Sequence, residues 1–190
     1  MTDTAPHDHG KNIGSAEYTH TIPRKRAAAT IVFTDDRGRV LLCEPSYKEV
    51  WEAVGGAVEE NESPRNAAAR EAKEELGLDI EPGRLLAFDF VPAHDGRTES
   101  LICVYDGGTL TKRQTDSITL DPSELRSWAW CTLSQAHERM RPLVARRIEA
   151  ALKASRCGGV AELESGHPVG SDPTGRPHGS HPSGLLPDRT

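Results

Sequence analysis

The sequence predicts an α/β fold in which a mixed β-sheet is sandwiched between helices, an α/β/α arrangement built by residues 23–155. Three observations predict it. Of the nine aromatic residues all but Tyr18 lie between Phe33 and Trp130, which places a single core there. Short apolar runs and helical segments follow one another in the order β-β-β-α-β-β-β-α. The ends lack what a core needs: residues 158–190 hold seven Gly, five Pro and four Ser and no aromatic, and residues 1–22 are similarly polar. Such segments bury too little apolar surface to offset their ordering entropy, so 1–22 and 156–190 are expected to be disordered tails.

Strands are expected over 27–33 and 40–44, joined by Asp35-Asp36-Arg37-Gly38, which has the composition of a hairpin turn. A short strand over 51–54 leads into Gly55-Gly56 and then Ala57-Val58. Ser63-Pro64 reads as a helix start, with Ser as N-cap and Pro at the first helical position, where its missing N–H costs nothing. Gly77 reads as the left-handed stop. Strands over 85–91, 99–106 and 127–131 follow, the middle one ended by Asp106-Gly107-Gly108. Thr132 or Ser134 caps a short helix to Met140. Pro142 then opens a longer helix to Ala154, with Val144, Ile148, Ala151 and Leu152 at i, i+4, i+7 and i+8 on one face.

A net charge of −6 argues against nucleic acid as the partner through bulk electrostatics. The one basic cluster, Arg24-Lys25-Arg26, sits at the domain edge and reads as a solvated linker. No apolar run approaches the roughly 18 residues a membrane span needs, and the charged start does not resemble a signal peptide. Cys43, Cys103, Cys131 and Cys157 show no CxxC spacing, and three of them fall in expected strands, as reduced thiols of a cytosolic protein would. The expectation is a cytoplasmic protein with no membrane partner; a homodimer is left open.

Chemistry concentrates on the helix between Ser63 and Gly77. At about 100° per residue, Arg70, Glu74, Glu71 and Glu75 fall on one continuous arc of roughly 140°, flanked by Ala68, Ala69, Ala72 and Leu76, while Asn66 and Lys73 point away. Glu71 with Glu74 and with Glu75 are like-charge neighbours that cost a helix a few tenths of a kcal/mol each. A divalent cation would neutralise them, and hard carboxylate oxygens select Mg²⁺, Mn²⁺ or Ca²⁺.

Gly56, Glu62, Arg70-Glu71, Glu74-Glu75 and Gly77-Leu78 also stand at the offsets G-x5-E-x7-R-E-U-x-E-E-x-G-U, with U aliphatic. The segment resembles the Nudix box, and the chain is identified as similar to the Nudix hydrolase family, MutT-like members included. Ala72 is smaller than the usual aliphatic residue, and Val54 stands where many members have proline. The resemblance implies the Nudix fold and Mg²⁺-dependent hydrolysis, with Mn²⁺ a substitute. The bond cleaved would be the pyrophosphate linkage of a nucleoside diphosphate joined to another group, attacked by metal-activated water. ADP-ribose-type sugar nucleotides, suggested by Pro92 followed by Glu99, and modified nucleoside triphosphates are both open as substrates.

Glu71 and Glu75, at i and i+4, are the expected main metal ligands, with Glu74 on a second metal and as a candidate catalytic residue. The resemblance adds a main-chain carbonyl at Gly55 or Gly56, where glycine lets the backbone approach an ion. Arg70 is expected to orient the glutamates, and Glu62 to hold that arginine or a metal-bound water. For a general base outside the box, Glu99 is the first candidate and Glu124 the second. Tyr47 and Trp51 are open as base-stacking residues, Trp51 being read first as core. The alternative function is a Nudix-like domain that binds and senses a nucleotide without turnover, although such modules lose box carboxylates and none is missing here. An isomerase of the isopentenyl diphosphate type would need a pocket cysteine, and Cys43 and Cys103 read as buried in strands.

Overall fold

The computed structural model describes residues 21–170. At the centre of its sheet lies β1 (Arg26–Thr34), whose side chains alternate between two apolar faces: Ala29, Ile31 and Phe33 on one, Val32 on the other. β2 (Val40–Pro45) turns back antiparallel from it through the expected hairpin, and β3 (Gly55–Ala57) also pairs antiparallel with it. β4 (Leu85–Val91) and β5 (Ser100–Thr109) form an antiparallel pair, and β5 lies parallel to β1, so the sheet is mixed as expected. β6 (Leu125–Cys131) flanks β2, and β7 (Ala161–Glu164) and β8 (His167–Pro168) extend the far side. The order across the sheet is β6-β2-β1-β5-β4-β7-β8, with β3 on β1 outside that path.

Helices cover both faces. α1 (Pro64–Leu76) buries Ala67, Ala68, Ala72 and Leu76 against Ala29, Ile31, Phe33 and Leu41. The opposite face carries α3 (Leu133–Arg139) and α4 (Pro142–Cys157). There Ala145, Ile148, Ala151 and Leu152 meet Val32, Leu42, Leu86 and Val104. Side chains as fully enclosed as Leu76 and Ile148 contribute about 1.5–3 kcal/mol each over an exposed position. α2 (Lys112–Asp116) is one short turn after β5. Ser63 caps α1 by accepting from the Asn66 N–H at 3.2 Å, Gly77 closes it at φ 69°, and Thr132, not Ser134, caps α3.

Three expectations are corrected here. Residues 51–54 form no strand. Only Glu52 makes an isolated bridge to Cys43, and the glycine pair itself takes the place beside β1. Residues 156–170 do not behave as a disordered tail. α4 runs to Cys157, and β7 adds parallel to β4 with Leu163 buried beneath α4. Composition averaged over a Gly- and Pro-rich stretch hid this short strand, whose single core residue is supplied with a partner by the sheet edge. Nor is the basic cluster a solvated linker throughout: Lys25 pairs with Glu99, and Arg26 donates to the Thr98 carbonyl at 2.7 Å. The tail expectations for 1–20 and 171–190 fall outside the described residues. Among those described, no helix is long and apolar enough to cross a membrane. Cys43 and Cys131 are buried, Cys103 half-buried and Cys157 exposed, all as free thiols.

Candidate active site

Arg70 organises the acidic side of α1. Its Nε and Nη2 donate to the two carboxylate oxygens of Glu62 at 3.0 and 3.1 Å, and Nη2 also donates to the Ala57 carbonyl at 3.0 Å. Nη1 is shared between Glu71 and Glu74, each at 2.9 Å. Helical spacing places Glu74 one turn beyond Arg70, while Glu62 arrives from the turn before the helix, where Asn61 adopts φ 61° and the Glu59 N–H donates to Glu62 at 3.0 Å. The Arg70 fork holds the Glu62 carboxyl below its ordinary range, with the Glu59 N–H adding to that effect. The same partners hold the Arg70 guanidinium firmly in its charged form.

The glycine pair is fixed by steric contact on both sides. Gly55 sits at φ 148°, and a Cβ there would stand 2.2 Å from the Ala29 carbonyl oxygen of β1. A Cβ on Gly56 would stand 2.2 Å from Glu71 Oε1. The bare main chain of β3 thus lies directly against the Glu71 carboxylate.

Glu71 is buried, and that burial raises its pKa against the opposing pull of Arg70. Glu75, one turn on, is raised further, to about 8. Burial is the largest cause, the charges of Glu71, Glu124 and Glu52 add to it, and a hydrogen bond from the Gly55 main chain opposes it. Arg70 reaches Glu62, Glu71 and Glu74, and among the described residues no basic side chain pairs with Glu75. A partly buried carboxylate surrounded by carboxylates, without a counter-charge of its own, has the electrostatics of a site for a cation or a proton. The donors are hard oxygens beside a half-buried glycine pair whose main chain lacks side-chain cover, which fits Mg²⁺ or Mn²⁺. Among the described residues no three His, Cys, Asp or Glu side chains converge as a closed ligand set. An ion here would therefore complete its shell with main-chain oxygen, water and substrate, the habit of Mg²⁺.

The structure separates the two outside acids. Glu99 stands just before β5 and is tied to Lys25 beside the first residue of β1, and among the described residues no hydrogen bond or ion pair joins it to the acidic cluster. Glu124, exposed in the turn before β6, instead lines a small cleft with Glu75, Glu52 and Tyr47. Glu52, absent from the sequence expectations, reaches that cleft from the residues just before the glycine pair. Its only signal was proximity to Gly55. Trp51 packs with the α4-side core and carries the Arg139 guanidinium on its ring at 4.4 Å, so it is framework; Tyr47 is 72% exposed at the cleft rim. On the α4 side of the glycine pair a cavity of about 130 Å³ opens, lined by Ala28, Thr30, Glu52, Ile102, Val144 and Arg147 among others.

Comparison with known proteins places the chain in a family. The NUDIX domain model covers residues 24–152, and the chain belongs to that family. It is 44% identical over 64 residues to diphosphoinositol polyphosphate phosphohydrolase 2 of Rattus norvegicus, a match covering 33% of this chain and 36% of that protein. It is 31% identical over 86 residues to an RNA pyrophosphohydrolase of Ruthia magnifica subsp. Calyptogena magnifica, covering 42% and 48%. The chain thus spans less than half the length of either relative. Among solved structures, a MutT protein from Methanosarcina mazei Go1 superposes with TM-score 0.57 at 18% identity, over 73% of this chain and 99% of that one, a likeness of fold.

Proposed function

We propose that the chain hydrolyses a phosphoric anhydride: the pyrophosphate link of a nucleoside diphosphate joined to another group, with Mg²⁺ as cofactor and Mn²⁺ as a substitute. One observation carries the reading: the lone, proton-hungry Glu75 beside Glu71, both against a glycine pair that leaves the main chain bare. A solvated helix face would not combine burial with repulsion in this way.

A bound divalent cation would screen the diphosphate charge and lower the pKa of an attacking water. Glu71 and Glu75 would hold it, with main-chain oxygen from Gly55 or Gly56 and Glu74 toward a second ion. Arg70 fixes the Glu71 and Glu74 rotamers, and Glu62 fixes Arg70, so the ligands need no reordering as charge builds on phosphate oxygens. Across the cleft, Glu124 takes the proton from the attacking water; it replaces Glu99 as the preferred base because it faces Glu75. The two matched relatives are named for substrates as unlike as a diphosphoinositol polyphosphate and an RNA. A shared anhydride chemistry with a variable attached group is consistent with that spread, and ADP-ribose-like sugar nucleotides and modified nucleoside triphosphates are the classes to try first.

The experiment is a panel of dinucleotides, sugar nucleotides and nucleoside triphosphates with Mg²⁺ or Mn²⁺, read by product identity. Metal-dependent release of a nucleoside monophosphate or pyrophosphate is expected. Tight nucleotide binding without turnover on any member would overturn the hydrolase reading in favour of a sensing domain.

A further inference from the structure

The cavity beside Gly55–Gly56 is lined by one cation, which the reaction described above does not use, and by one acid, Glu52, which is paired with Lys48. Arg147, on the inner face of α4 between Val144 and Ile148, is only 7% exposed and lines that cavity. Its Nε donates to Asp89 Oδ2 at 2.7 Å, and Asp89, on β4, is fully enclosed. The other carboxylate oxygen of Asp89 accepts the Gly166 N–H at 3.1 Å from the β7–β8 turn. That turn is itself seated on α4: Arg146 donates to the Ser165 carbonyl at 3.0 Å, and a Cβ on Gly166 would stand 2.5 Å from the Leu143 carbonyl oxygen. One edge of the guanidinium is therefore held from behind by Asp89, which the β7–β8 turn fixes in place.

Its other edge is different. No hydrogen bond from a described residue reaches the two Nη atoms, yet neither is among the enclosed, unpartnered polar atoms, where Arg146 Nε stands. They reach the open space of the cavity. A buried ion pair gains little stability over apolar residues of the same volume, so its retention here calls for a use. A planar fork with a free edge is suited to a bidentate oxyanion. The walls add to this: Ala28, Thr30, Gly55 and Gly56 offer small side chains and main chain, the Glu52 carboxylate is paired with Lys48, and among the described residues no aromatic ring lines the space for a base to stack on. The acids of the cleft repel phosphate, so a substrate phosphate beyond the scissile link needs a cation, and the adjoining cavity, which shares Glu52 and Ala53 with the cleft, supplies one in Arg147.

We propose that Arg147 is a substrate-recognition residue that binds a phosphate group adjoining the scissile diphosphate, with Asp89 and the Ser165-Gly166 turn as its positioning partners. This rests on the anhydride-hydrolase reading for its place in a reaction, but not for its existence as an oxyanion contact. The preferred substrates are accordingly those with at least three phosphates, or a phosphorylated group next to the diphosphate.

The test compares imidodiphosphate with imidotriphosphate by calorimetry in Mg²⁺, on wild type, Arg147→Lys and the double variant Asp89→Asn/Arg147→Gln. The double variant leaves no buried charge behind and retains an acceptor for the Gly166 N–H, so it keeps the fold. Wild type should bind the triphosphate analogue at least about tenfold more tightly than the diphosphate, a difference of about 1.4 kcal/mol. The double variant should bind both alike, and Arg147→Lys should recover only part of the preference. With the best substrate of the panel, KM should rise about tenfold with kcat little changed, the signature of lost ground-state contact. An unchanged analogue ratio in the double variant, or no preference in wild type, overturns the proposal, as does a fall in melting temperature with KM unmoved. A wild type that prefers the triphosphate analogue yet cleaves nothing overturns the hydrolase reading alone.

Discussion

Replacing Glu75 with Gln should remove a pH dependence of stability that runs opposite to that of most carboxylates. Burial and the neighbouring charges hold the Glu75 proton up to about pH 8, against an ordinary value of 4.5. Between those two values the folded chain binds more protons than the unfolded one. Stability from this group is therefore complete below the unfolded value and is lost as pH rises through the folded one. The ceiling is about 1.4 kcal/mol per pH unit, or about 4 kcal/mol between pH 5 and pH 8. Glu71, raised in the same direction, adds a smaller contribution of the same sign. The assay is urea denaturation in a chelating buffer at pH 5, 6.5 and 8, with the variant subtracted from wild type so that titrations away from this cluster cancel. Wild type should lose stability relative to Glu75→Gln across that range. Mn²⁺ added after removal of the chelator should restore wild type most at pH 8, where it meets least competition from the proton, and should leave the variant nearly unmoved. Parallel pH profiles for the two proteins would refute the account of Glu75 as an uncompensated buried carboxylate.

Other outcomes follow from the same geometry. Glu71→Gln should lower kcat by about 10²-fold or more, while Lys73→Gln, exposed on the far side of α1, should change it by less than about twofold in the same assay. Gly56→Ala should push the Glu71 carboxylate aside and lower kcat/KM at least about tenfold with a raised Mg²⁺ requirement, and wild-type metal titration would contradict the close contact. Glu124→Gln should slow kcat on the order of 10²-fold, whereas Glu99→Gln should leave it intact; the reverse would return the base to Glu99. Ending the chain at residue 156 should cost about 4 kcal/mol by urea denaturation relative to ending at 170, because Leu163 leaves the core and Asp89 loses the Gly166 N–H.

The parts visible in the sequence were those written in local chemistry. Ser63, Pro64 and Gly77 bound α1 because capping and a left-handed stop depend on neighbours within four residues. The expected strand over 85–91 coincides with β4, since its apolar run stands between turn residues. The Arg70 network with Glu62, Glu71 and Glu74 was readable from helical geometry plus one fixed offset. What stayed hidden depended on distant partners. β7 is four residues long with one core side chain and becomes a strand only because β4 offers an unpaired edge. Glu124 and Glu99 are alike as loop acids, and only the pairing of β2 with β6 carries the first toward Glu75. Arg147 carries no local signal, because its partner Asp89 lies far away in sequence on β4.

Ala72, the one box position smaller than its family pattern, has a packing reason that links the helix to the chemistry. The face of α1 toward β1 is made of Ala67, Ala68 and Ala72, all fully buried, so the helix can lie close on the sheet. Close approach brings the Glu71 carboxylate onto β3, and only a residue without a Cβ leaves room there, hence Gly56. It also carries Glu75 under cover with its neighbours' charges, which is what raises its proton affinity. Ala72→Leu tests this chain of causes in one step. Three added carbons at a fully enclosed position should cost about 1–3 kcal/mol of stability by overpacking. The same substitution should lift the helix off β3 and relieve the crowding at Gly56. Paired with Gly56→Ala, it should therefore cost less activity than the sum of the two single effects. Strictly additive losses would show that helix depth and the glycine contact are independent, and that the small face of α1 serves packing alone.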